Sequence, residues 1–248
     1  GKASAVGLAH EGTNVVICAR GQRLLEEVAS EISTHSSGRV LPVVGDMSKE
    51  KDAFRLVETA LKNYGRLDIL VNCAGSSPGG TILNLSEEHW TESLNLKFMG
   101  YVRTAKASIP HMKNQNWGRI INVIGNDGVK PVSFELTAGA ANAAGINFTQ
   151  AIAEELGPYG ITANAINPGP VDTDRWKGLL RTRAREAGLS EEQVNQRAIR
   201  SIPLGRLCTS EEVANVVIFL ASEAASFVTG ASISMDGAQR KALIEVEP

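Results

Sequence analysis

Short runs of consecutive apolar, mostly β-branched residues recur along this chain, separated by longer stretches whose apolar residues fall at helical spacing. The runs at 14–18, 40–44, 69–72, 119–124 and 162–166 are apolar at successive positions instead of alternate ones, the pattern of strands covered on both faces. The stretches at 24–32, 49–63, 87–113, 138–156 and 210–221 read as helices, and a last run at 232–235 reads as a strand closing one edge. This alternation is the sequence form of repeated βαβ units, so an α/β fold with a parallel sheet between two layers of helices is expected. Ser48 and Ser86 are placed to cap helix starts, and Gly65 and Gly157 fall where helices should end.

A chain of 248 residues suffices for one domain with a substantial core, and without repeats or linkers a single domain over 1–248 is expected. Its beginning is unusual, because Gly1 runs directly into the helical residues Lys2 to His10, whereas a doubly wound sheet opens with a central strand and a Gly-rich turn. That strand and turn are expected to lie ahead of Gly1, since losing a central strand would expose two strand edges. A formal charge of −2, with basic residues scattered among acids, argues against nucleic acid or an anionic membrane as partner and for a small molecule. Cys18, Cys73 and Cys208 lie far apart in apolar surroundings without metal-ligand spacing, so buried reduced thiols, no metal and a cytoplasmic location are expected. No apolar stretch is long enough to cross a bilayer, and no charged-then-apolar leader opens the chain.

Four local patterns carry chemistry. Asn72-Cys73-Ala74-Gly75 ends a strand in small residues, which is either a simple turn or a place where backbone approaches a cofactor closely. Asn164-Ala165-Ile166-Asn167-Pro168-Gly169 ends another strand, and Val171 and Thr173 beyond it can offer backbone and hydroxyl hydrogen bonds to a carboxamide. Asp46 follows the run at 40–44, either as a helix cap or as an acceptor for an adenine amino group. Asn95 lies inside a long helical stretch, an unfavourable place for Asn unless its side chain is engaged.

In their order along the chain, these residues resemble the short-chain dehydrogenase/reductase family over nearly its whole length, its 3-oxoacyl-carrier-protein-reductase-like members in particular. The resemblance implies a Rossmann-type doubly wound sheet with a nicotinamide cofactor across the carboxyl ends of the strands. Gly1 is then the last glycine of the Gly-rich turn. Arg20 stands where the family carries Asp for NAD or a basic residue for NADP, so NADP is implied, with NAD as the alternative. Asp46, Met47, Asn72, Ala74, Gly75, Asn142, Pro168, Gly169, Val171 and Thr173 are the other cofactor-binding positions that the resemblance implies.

The same resemblance exposes a loss. Family enzymes use a Ser that orients the substrate carbonyl, a Tyr that moves the proton and a Lys one helical turn later that lowers the Tyr pKa. Aligned from Phe148 and Ile152-Ala153-Glu154-Glu155, Gly125 stands at the Ser position, Ala138 at the Tyr position and Asn142 at the Lys position, while Asn95, which supports a water chain in the family, is retained. No shift of register restores the motif, because the residues four positions after Tyr64, Tyr101 and Tyr159 are Asp68, Ala105 and Ala163. Asn142 can still hydrogen-bond ribose hydroxyls but has no charge to lower a neighbouring pKa. Water, Asp127, Glu135 and Thr137 are the remaining candidates for proton transfer, each of which also reads as an ordinary loop or cap residue.

Two functions follow from this pattern: an NADP(H)-dependent oxidoreductase of alcohols or carbonyls with a non-standard proton route, or a cofactor-binding pseudoenzyme acting as redox sensor or assembly partner. A substrate lid is expected at about 174–203, where Arg175 either binds an acidic substrate or stacks on Trp176. The stretches 87–113 and 138–156 resemble the helices of the family's dimer interface, and the small residues from Ala138 to Gly145 suit close helix approach, so a homodimer or homotetramer is expected.

Overall fold

The computed structural model describes residues 1–239, so 240–248 of the expected domain lie outside the described residues. The elements run α1 (Lys2–His10), β1 (Val15–Ala19), α2 (Gln22–His35), β2 (Val40–Val44), α3 (Glu50–Tyr64), β3 (Ile69–Asn72) and α4 (Glu87–Ser93). A π-helical turn (Leu94–Phe98) leads into α5 (Met99–Gln115), then β4 (Gly118–Val123), α6 (Leu136–Leu156), β5 (Ile161–Pro168), α7 (Asp174–Ala187), α8 (Glu191–Arg200), α9 (Ser210–Ala221) and β6 (Ser232–Met235). Every apolar run has become a parallel strand. β1 pairs with β2, and β3-β4-β5-β6 pair in that order with β6 at one edge. Among the described residues, β1 and β3 are not hydrogen-bonded to each other.

The runs are continuously apolar because successive side chains enter different cores. In β4, Ile120 joins Met112, Ile152 and Leu156 on the side of α5 and α6, whereas Ile121 joins Leu8, Val217 and Leu220 on the side of α1 and α9. Both isoleucines are 0% exposed, and each such burial stabilises the fold by about 1.5–3 kcal/mol. Val15 of β1 and Val71 of β3 pack into the same cluster as Ile121, so one apolar layer spans both parts of the sheet.

A polar chain crosses this apolar core. Thr104 Oγ1 donates to Asn72 Oδ1 (2.7 Å), Asn72 Nδ2 donates to Asn122 Oδ1 (2.9 Å), and Asn122 Nδ2 donates to Thr149 Oγ1 (2.9 Å). It ties α5, β3, β4 and α6 together at one depth, and all four residues are buried.

Several boundaries differ from expectation for identifiable reasons. The stretch 87–113 is not one helix. At Leu94–Phe98 it widens into a π turn, where Arg103 donates from Nη1 to the Asn95 carbonyl (2.8 Å) and from Nη2 to Asn95 Oδ1 (2.6 Å). Ser86 caps α4 within a capping box, its backbone N–H donating to His89 Nδ1 (3.2 Å). Ser48 caps nothing, because α3 starts after Lys49, and its N–H and hydroxyl both donate to Asp46 Oδ1. Gly65 and Gly157 follow the last residues of α3 and α6 as expected, Gly65 in the left-handed conformation and Gly157 right-handed, leading into a 3₁₀ turn that ends at Gly160, φ 68°. Much of the small-residue run in α6 packs within the chain: Ala138 and Ala141 are buried, and a Cβ on Gly145 would lie 3.2 Å from Ile124 Cδ1. The cysteines are free thiols, half-buried rather than buried, and burial pushes Cys18 and Cys208 up to about 11. Among the described residues no helix is long and apolar enough to cross a membrane, and no cluster of side chains suits a metal ion.

Asn122→Ala strands Asn72 Nδ2 in the core and leaves the Thr149 hydroxyl only its bond to the Gly145 carbonyl, so unfolding in urea is expected to require about 1–3 kcal/mol less free energy. Lys2→Ala, which breaks the half-exposed pair with Glu31, should change it by less than about 1 kcal/mol, and equal losses in the two variants would contradict the structural role of the polar chain.

Candidate active site

The carboxyl ends of β3, β4 and β5 open on one side of the sheet, and most of the residues singled out in the sequence converge there. After β3 come Ala74 and Gly75, both exposed; after β4 comes Gly125; β5 ends at Pro168 and Gly169. The π turn carrying Asn95 and the start of α6 form the walls, and these two elements pack against each other. Gly1 lies beside the β3 loop, where a Cβ would be 3.8 Å from Cys73 Sγ.

Arg20 projects from the end of β1 as an exposed guanidinium with no hydrogen bond or ion pair among the described residues. It faces Asp46, whose carboxyl is held below the usual range first by the Ser48 hydroxyl and backbone N–H and then by the Arg20 charge. Met47 is buried, and its carbonyl accepts from Arg103 Nη1 (3.3 Å).

Some expected ligands are already committed within the protein. The Asn72 amide is used on both ends by Asn122 and Thr104, so its side chain is not available to a ligand. The Thr173 hydroxyl caps α7, accepting from Trp176 N (3.3 Å) and donating to the Val171 carbonyl (3.2 Å). Thr137 is fully buried, and its hydroxyl donates to the Pro78 carbonyl (2.9 Å), which removes it from the candidates for moving a proton.

The positions of the missing Ser and Lys are filled by another interaction. Asn142 Nδ2 donates to Asp127 Oδ1 in a short hydrogen bond, while Asn142 Oδ1 is buried with no partner among the described residues. Gly125 makes room for this pair. A Cβ there would lie 2.7 Å from Asn142 Nδ2 and 2.8 Å from Asp127 Oδ1, and φ of 153° is itself unfavourable for any residue with a side chain. Ala138 is 4% exposed and presents only a methyl group.

Lys97, two positions beyond Asn95, is a site residue that the sequence reading passed over. It is 9% exposed, and its stem runs so close to Gly75 that a Cβ there would approach its Cγ and Cδ to 3.2 Å. Burial pulls its ammonium down to about 8 against the opposing pull of Asp127 and Glu135, while Arg175 lowers it further. Glu135 is pushed up, first by burial and then by Asp127. A signal for Lys97 was present, because helical spacing aligns it with Ser93, Gly100 and Thr104, all of them buried.

The stretch 174–203 folds as a hairpin of α7 and α8 around Trp176, Leu180, Ala184, Val194 and Ala198. Arg175 does not stack on Trp176. Its Nη1 donates to the Gly75 carbonyl (3.3 Å), whereas the Trp176 indole donates to Asn195 Oδ1 (3.0 Å), and in this hairpin it is Arg183 that lies over an aromatic ring, 4.3 Å from the centre of Phe134.

Comparison with known proteins places this geometry among nicotinamide enzymes. The family model described as enoyl-(acyl carrier protein) reductase matches residues 1–238. The chain is 34% identical over 247 residues to the NADPH-dependent reductase BacG of Bacillus subtilis, covering 98% of this chain and 94% of that protein. It is 32% identical over 237 residues to the 3-oxoacyl-(acyl-carrier-protein) reductase FabG of Thermotoga maritima, covering 96% and 92%. Among solved structures, the L-sorbose reductase of Gluconobacter frateurii, complexed with NADPH and L-sorbose, is similar at a TM-score of 0.91 and 31% identity over 97% of this chain and 92% of that one.

Gly125→Ser is expected to destabilise the fold by about 1–3 kcal/mol through backbone strain and collision with the Asn142–Asp127 bond. Adding Asn142→Ala should recover part of that loss, and strictly additive effects in a double-mutant cycle of denaturant unfolding would show that the two positions do not share the space.

Proposed function

The chain belongs to the short-chain dehydrogenase/reductase family and is an NAD(P)-dependent oxidoreductase of that type; from this premise we propose that it uses NADP(H) to interconvert an alcohol and a carbonyl by a proton route of its own. The observation that carries this reading is the buried Asn142 Oδ1, an acceptor without a donor at the position from which the family holds the nicotinamide ribose. A ribose hydroxyl satisfies it, and a buried amide oxygen left unpaired otherwise costs about 1–3 kcal/mol. The rest of the cradle fits the same group. Ala74 and Gly75 let backbone approach closely, Gly169 and Val171 border the carboxamide end, and the unpaired Arg20 suits a 2′-phosphate.

A bound nicotinamide supplies or accepts a hydride at its ring carbon. The protein's share is to hold the substrate oxygen, exclude water and move one proton. Gly125, Ala138 and Asn142 move none, and Thr137 is engaged elsewhere, so the route runs through the charged groups around Asp127 and Glu135. The hairpin of α7 and α8, anchored to the β3 loop through Arg175 and Gly75, serves as the lid that closes over the substrate.

Fluorescence titration of the full chain with NADPH and NADH, followed by single-turnover reduction of a panel of carbonyl compounds, tests this function. NADPH is expected to bind more tightly than NADH, and Arg20→Ala to weaken NADPH about 10- to 100-fold while leaving NADH unchanged. No binding of either nucleotide overturns the reading. Binding without any turnover favours a redox-sensing pseudoenzyme instead, the reading that the absence of Ser, Tyr and Lys supports.

A further inference from the structure

The least explained group in the site is the Lys97 side chain. Long basic side chains commonly bury their stems and keep the charged head in water, but here the whole residue is 9% exposed. Its ammonium makes no hydrogen bond or ion pair among the described residues, yet it is not one of the fully buried polar atoms left without a partner, so Nζ keeps an open face. A cation on a largely buried side chain with no direct protein partner is poorly solvated, so such a group either gives up its proton readily or takes a ligand at its open face. The surroundings permit both. Gly75 leaves space for the stem, Asp127 and Glu135 favour the charged ammonium, and Arg175 from the lid and Cys73 from the β3 loop complete the charged and titratable groups around it.

We propose that Lys97 is the proton donor to the substrate oxygen during carbonyl reduction and the proton acceptor during alcohol oxidation, replacing the absent Tyr from the opposite wall of the pocket. This rests on the oxidoreductase reading above and names the group that reading left open. In reduction the carbonyl carbon gains two electrons as the reduced nicotinamide is oxidised. The oxygen takes its proton as the Lys97 Nζ–H bond breaks and an O–H bond forms, and the neutral amine regains a proton from solvent. The environment suits that exchange. Burial lowers the ammonium to about 8, near the pH at which a general acid works best, and the two carboxylates keep it from falling further. Asp127 is a poorer donor because it already accepts from Asn142, and Glu135 feels opposing charges, Asp127 raising its pKa and Arg183 lowering it.

The test combines kinetics with a readout independent of turnover. In the unaltered protein, carbonyl reduction is expected to decline as pH rises through about 8, because the donor must be protonated, while alcohol oxidation rises over the same interval. Lys97→Met should lower reduction about 10²- to 10⁴-fold, abolish that pH dependence and leave NADPH affinity unchanged. Lys97→Arg keeps the charge but cannot titrate in this range, so it should lose the same limb. In nuclear magnetic resonance of the cofactor-free protein with isotope-labelled lysine, the signal that vanishes in Lys97→Arg should titrate near pH 8. If Lys97→Met does not fold, the pH profile and the lysine titration of the unaltered chain decide by themselves. Turnover that persists in Lys97→Met with its pH profile intact, or a titration midpoint in the ordinary lysine range, overturns the donor and leaves the oxidoreductase standing. NADPH binding without turnover in the unaltered chain overturns both.

Discussion

The hydrogen-bonded chain Thr104–Asn72–Asn122–Thr149 is the constraint on which the site depends, because it crosses the core at the depth where the strands end. Its members lie on α5, β3, β4 and α6, and each is almost fully buried. Apolar packing alone is non-directional and would tolerate small slides of helix against strand. Directional bonds between buried amides do not, since a displaced partner leaves an unsatisfied group in a low-dielectric interior. The loop after β3, the π turn before α5 and the Asn142 turn of α6 therefore keep fixed positions relative to one another, which a pocket built from all three requires.

Within that frame the site has been refilled rather than emptied. Gly125, Asp127 and Asn142 form a self-consistent set in which the absence of a side chain at one position makes room for a hydrogen bond between the other two. Ala138 adds bulk without function, while a lysine from the π turn brings charge in from the opposite wall. The π turn matters here because its extra width frees the Asn95 carbonyl for Arg103. The catalytic question thereby moves from α6 to the π turn that precedes α5.

Most of the fold was readable in the chain. Runs such as Val40–Val44 and Ile69–Asn72 matched their strands because burial on both faces forces continuous apolarity over a few adjacent residues, a local signal. The π turn inside 87–113 was less legible, because the Arg103 guanidinium that binds it comes from eight positions away in sequence and the helical spacing on either side remained intact. Candidate ligands divided similarly. Ala74, Gly75, Pro168 and Gly169 lie at the carboxyl ends of their strands through strand position alone, but Asn72 and Thr173 turned out to have their side chains engaged in the core and in a helix cap.

By itself, then, the sequence determined the parallel α/β architecture, the strand ends at which the candidate residues gather and the absence of a Tyr and Lys pair, since each depends on residue type and short-range spacing. Only the tertiary structure decided which polar groups remain available, because a hydrogen bond between Asn142 and Asp127, or the burial of Lys97 against Gly75, arises where distant segments cross over the sheet. Availability is a property of the neighbours a side chain meets, and those neighbours are set by packing between elements rather than by order along the chain.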